Sequence, residues 1–80
     1  MAIYLHLDEL GHPCIVLYGD RLKKRRLKMG LTQAQIAEQS GVTASHISII
    51  ERGRANPTFD VMARLAEAVG LEVWAMIRPE

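Results

Sequence analysis

Between Thr32 and Pro57 the chain reads TQAQIAEQSGVTASHISIIERGRANP. This stretch predicts two short helices joined by a tight glycine turn. The Thr32 hydroxyl is placed to accept from an early helix N–H while Gln35 reaches back toward the cap, a capping box that starts the first helix. Ile36 with the small residues Ala34 and Ala37 sets the inner side of that helix, and Gln33, Glu38 and Gln39 set the outer side. Gly41 supplies the left-handed backbone that a sharp turn requires. Thr43 is the next capping residue, and from it Ala44 to Arg52 runs as a second helix stopped by Gly53.

At about 100° per residue, Ala44, Ser45, Ser48, Ile49 and Arg52 fall on one arc of the second helix, whereas Ile47 and Ile50 point nearly the opposite way. The second set anchors the helix and the first faces out. An exposed arc of small side chains ending in an arginine suits close approach to base edges and phosphates, since nothing bulky holds the helix away from a major groove. A merely solvated face is the plainer reading. Capping, turn and face signals all agree on the DNA-reading one.

These residues resemble the phage repressor and Cro class of helix-turn-helix domains, the XRE family, over roughly Asp20 to Gly70. The most specific part is GLTQAQIAEQSGVTASHISIIERGRANP, with its close at Glu51, Arg52, Gly53 and Pro57. The resemblance implies a lambda-repressor-like bundle of five helices or a shortened version of them, binding to a double-stranded operator as a homodimer, and repression or autoregulation of transcription. It matches Thr43, Ala44, Ser45, Ser48 and Ile49 to base-facing positions, and Gln33, Arg52, Arg54 and Asn56 to positions that hold the DNA backbone. HipB-like and HigA-like antitoxin repressors belong to this class, so an autoregulating antitoxin with a cognate toxin is one version of the expectation. The competing version is a protein-interaction module that neutralises a partner toxin, with DNA binding secondary.

The overall charge of +1 conceals an asymmetry: Gly19 to Arg54 holds eight Lys or Arg against Asp20, Glu38 and Glu51. That concentrates positive potential on the DNA-binding segment. Within RLKKRRLK, residues 21 to 28, helical phasing turns Leu22, Arg26 and Met29 inward and leaves Lys23, Lys24 and Lys28 exposed. An inward arginine needs an acceptor. Glu51, at the edge of the buried side of the second helix, is the expected partner, and similar domains place an arginine of the first helix against a glutamate at this position. The pair would orient the recognition helix.

After Pro57 a further helix is expected, capped by Thr58, with Phe59, Met62, Leu65, Ala66 and Val69 as its apolar stripe and Gly70 as its stop. Asp60 and Arg64 make a weak exposed pair on its outer face. The two ends read differently. Ala2 to Leu7 and Pro13 to Tyr18 are rich in strand formers and flank DELGH, so residues 1–18 are expected to form a β-hairpin. The segment from Leu71 to Arg78 alternates as a strand would, with Trp74 its largest apolar side chain. The expected fold is therefore mainly α: one 80-residue domain, with a hairpin over 1–18, a Cro/C1-type helix-turn-helix over 19–70 and a strand over 71–80 that supports the dimer.

At 80 residues, almost half of them apolar, the chain has room for a single core. No apolar run approaches the roughly 20 residues that span a bilayer, no secretory signal pattern opens the chain, and a cytoplasmic protein without a membrane partner is the default expectation. Cys14 is the one cysteine and has no partner for an internal disulfide. His6, His12, Cys14 and His46 show no ligand spacing, so neither a metal nor a cofactor is expected. A phosphate-binding glycine loop and a nucleophile elbow are also missing, and no enzyme is expected.

Overall fold

The computed structural model describes residues 13–79. All its elements are helices: α1 (Pro13–Lys28), α2 (Gln33–Ser40), α3 (Ala44–Glu51), α4 (Phe59–Ala68) and α5 (Val73–Ile77). Local chemistry sets the boundaries of the central pair. Thr32 accepts from Gln35 N at 3.1 Å while Gln35 Oε1 accepts from Thr32 N at 2.7 Å, which completes the capping box of α2. Gly41 then takes φ 77° and donates its N–H to Ala37 O, closing α2 in a conformation that a side chain would strain. Thr43 caps α3 through His46 N, and Thr58 caps α4 through Val61 N, both at 3.2 Å.

One core draws residues from all five helices. Tyr18, Leu22, Ile36, Val42, Ile47, Ile50, Leu65, Ala66, Val69 and Met76 are buried in one cluster. At the crossing of α1 with α3, Gly19 is buried, and a Cβ there would overlap the Ile50 carbonyl oxygen. The glycine permits this approach by lacking a side chain.

Two expectations about the ends are overturned. Among the described residues there is no β-strand: Pro13 to Tyr18 forms the first turns of α1, and Val73 to Ile77 forms α5. The other arm of the expected hairpin, Ala2 to Leu7, and its turn lie outside the described residues. Tyr18, Leu22 and Arg26 recur every four residues, and that stripe is buried as one helical face, so packing overrides the strand preference of Ile15 and Val16. In α5, Met76 is fully buried with Val73 and Ile77 packed beside the core, a helical spacing of three and four. Its end is satisfied from α1, since Arg21 Nη1 donates to Ala75 O at 3.1 Å and to Arg78 O at 2.7 Å. A strand would have left these carbonyls to a neighbour; here a guanidinium takes them.

Three smaller expectations also change. Met29 is exposed, because it lies beyond the end of α1 in the turn toward α2. Phe59, at the first position of α4, is 71% exposed and outside the core, while Leu65, Ala66 and Val69 are buried and Met62 partly so. Ala34 is exposed, and only Ala37 of the two small residues packs against the core.

Candidate nucleic-acid interface

The outward surface of α3 is composed of short or slender side chains. Ser45 is exposed, Ala44 and Ser48 are half-buried, and Ile49 is 38% exposed, an apolar residue facing solvent opposite the fully buried Ile47 and Ile50. Thr43, also exposed, stands at the start of the helix with its hydroxyl 3.4 Å from that of Ser45. The arrangement offers hydroxyls that donate or accept and methyl groups that pack, with no long side chain to hold a groove away. Past the end of α3, Arg52, Arg54 and Asn56 are exposed, and Arg52 Nε donates to Ser48 O at 3.3 Å.

Beneath this surface lies an ion pair. Arg26 Nε donates to Glu51 Oε2 at 2.7 Å and Arg26 Nη2 to Glu51 Oε1 at 2.9 Å, a two-pronged contact between the end of α1 and the end of α3. The Glu51 side chain is 2% exposed. The hydrogen bond to Glu51 raises the Arg26 pKa above its ordinary value, against the opposing effect of burial. Arg26 Nη1 also donates to Leu31 O at 3.0 Å, and Gln33 Nε2 donates to Glu51 Oε1 at 3.0 Å. No buried side-chain nitrogen or oxygen among the described residues is left without a partner.

The basic run of α1 divides by role. Lys23, Lys24 and Lys28 are exposed, and Lys24 pairs with Asp20 at 3.0 Å on the surface. The three arginines turn to the protein instead: Arg21 to the end of α5, Arg25 Nε to Val69 O at 2.9 Å behind α4, and Arg26 to Glu51. Sequence reasoning missed the roles of Arg21 and Arg25. Their four-residue spacing beside the Leu22 and Arg26 face was the available signal, but the carbonyls that they satisfy lie 44 or more residues away in the chain. It missed the hold of Glu51 on Gln33 as well. Asp60 and Arg64 pair at 2.9 Å on the exposed side of α4. Among the described residues no group of three or more His, Cys, Asp or Glu could hold a metal ion, and no helix is long and apolar enough to cross a membrane.

Two capped helices about a glycine turn, the second presenting a slender polar face, define a helix-turn-helix DNA-binding module. The chain belongs to the helix-turn-helix family of transcriptional regulators: the family's pattern matches residues 22–73. It is 37% identical over 62 residues to an immunity repressor protein of Bacillus phage phi105, covering 78% of this chain and 43% of the repressor. To the HTH-type transcriptional regulator y4dJ of Sinorhizobium fredii it is 35% identical over 63 residues, covering 79% of this chain and 82% of the regulator. Among solved structures, the restriction-modification controller protein C.AhdI from Aeromonas hydrophila superposes with a TM-score of 0.75 at 31% identity, over 81% of this chain and 98% of that one. The controller protein C.Esp1396I, solved as a tetramer with its natural 35 base-pair operator, gives a TM-score of 0.74 at 25% identity over 82% of this chain and 91% of that one.

Proposed function

We propose that this chain is a homodimeric, sequence-specific repressor that lays α3 in the major groove of its operator, with half-sites about 34 Å apart. The observation that supports it is the division of α3, whose Ile47 and Ile50 are fully buried while Ser45 and Ile49, with Arg52 just past its end, face outward. In this reading Ser45 and Ser48 exchange hydrogen bonds with base edges, Ala44 and Ile49 pack on thymine methyl groups, and Thr43 completes the reading set. Gln33, Arg52, Arg54 and Asn56 hold the phosphate backbone. The names of the phage repressor and of the operator-bound controller protein support the same direction. In its antitoxin version the repressor works in the cytoplasm beside a cognate toxin, which co-purification from the native host checks.

The deciding experiment selects an operator from randomised duplexes, then titrates operator and random DNA at several salt concentrations. Ser45→Ala and Ile49→Ala are expected to change which sequence is preferred and to leave random-sequence affinity nearly unchanged. Arg52→Ala or Arg54→Ala is expected to weaken all duplexes alike and to flatten the salt dependence by about one counterion per contact. If the two α3 substitutions leave preference intact and Arg54→Ala abolishes it, the assigned reading face is wrong.

A further inference from the structure

We propose that Glu51 is a positioning residue for DNA binding: it fixes the orientation of the Gln33 amide, so that the remaining N–H of Gln33 Nε2 is available to a backbone phosphate. The inference rests on the function proposed above and assigns Glu51 a task beyond orienting α3. A carboxylate has acceptors only, so the nitrogen end of the Gln33 amide must face Glu51 Oε1, as it does at 3.0 Å. Nε2 carries two N–H groups, and Glu51 occupies one. The second has no partner among the described residues. An anion such as phosphate is the acceptor that this N–H suits.

The hold on Gln33 is rigid because Glu51 is itself held. Its carboxylate accepts from Arg26 Nε and Nη2 as well as from Gln33, and Arg26 is tied in turn to Leu31 O. One carboxylate thus fastens the end of α1, the start of α2 and the end of α3. Arg26 also balances the charge of Glu51, which would otherwise repel a phosphate brought up to Gln33. Gln33 opens α2, where the helix end favours an anion, and it is only half-buried, so that a ligand can reach it.

Two readouts on the full chain test this. In the free, nitrogen-15-labelled protein, one side-chain amide proton of Gln33 should exchange more slowly than those of the exposed Gln39, and Glu51→Gln should remove the difference. An exchange rate equal to that of Gln39 overturns the proposal, and this measurement on the wild type stands even if Glu51→Gln fails to fold. With a fluorescent mixed-sequence duplex at low salt, Gln33→Ala should weaken binding by about fivefold and Glu51→Gln by at least as much, and the double variant should lose no more than Glu51→Gln alone. Losses that multiply in the double variant overturn the positioning role while the function reading stands. Wild-type protein that binds no duplex overturns both.

Discussion

At the scale of single residues, two positions on α1 carry constraints that composition does not disclose. Gly19 has no room for a side chain beneath the Ile50 carbonyl, so Gly19→Ala should destabilise the fold by about 2 kcal/mol despite the better helix propensity of alanine. Urea unfolding of the variant checks this, and an unchanged or raised midpoint would show that α1 and α3 separate at little cost. One helical turn's face is completed by Tyr18, whose buried hydroxyl donates to Met62 O at 2.6 Å and whose pKa burial raises above the ordinary value near 10. The folded state therefore favours the neutral phenol. Its contribution is intact below about pH 10 and falls as the pH climbs above that value, at up to about 1.4 kcal/mol per pH unit. Stability measured from pH 8 to 11 should decline more steeply for the wild type than for Tyr18→Phe; parallel curves would place the hydroxyl in water.

At the scale of elements, the Arg26–Glu51 pair is the fastening that sets α3 against α1. Both side chains are nearly out of water, and removing either partner leaves an uncompensated charge behind. Arg26→Ala should cost about 3 kcal/mol, and Glu51→Ala a similar amount. In a double-mutant cycle the losses should fall well short of additive, because once one partner is gone the second substitution removes the stranded charge. Single variants with unmoved unfolding midpoints would mean that both groups are solvated in the folded protein. The exposed pairs Lys24–Asp20 and Arg64–Asp60 share the chemistry of ion pairing and little of its consequence, since water and salt screen them.

At the scale of the molecule, the most exposed of the large apolar side chains among the described residues are Phe59 on α4 and Trp74 on α5, the latter 64% exposed. Single exposed apolar residues are ordinary on a monomer, yet an indole this open is a strong anchor where a second copy packs. With α5 a helix held by Arg21, the dimer proposed above does not have the expected C-terminal strand to use, and Trp74 is the side chain that we expect it to bury. Trp74→Ala should therefore leave thermal unfolding of the dilute protein nearly unchanged and shift sedimentation at higher concentration toward monomer. A dimer of unaltered affinity would place the interface elsewhere.

The sequence by itself determined the central pair of helices and the identity of their outward face. Thr32 with Gln35, Gly41, Thr43 and Thr58 act within a few residues of where they stand, and the 3.6-residue period separates Ile47 and Ile50 from Ser45 and Ile49 without reference to the rest of the chain. The pairing of Arg26 with Glu51 and the expected readers of DNA rest on that spacing together with a family resemblance. Only the tertiary structure decided the ends. Pro13 to Tyr18 and Val73 to Ile77 are rich in residues that suit a pleated, half-buried surface, and such preferences express neighbours more than backbone. Here the neighbours are helices: Tyr18 finds Met62, Met76 enters the core, and Arg21 satisfies the carbonyls that close α5. The tie between Gln33 and Glu51 belongs to the same class, since a hydrogen bond between residues 18 apart depends on how α2 and α3 are brought together. Local signals fix caps and faces because their causes are near in sequence; the ends and the buried network depend on contacts that exist only once the chain has folded.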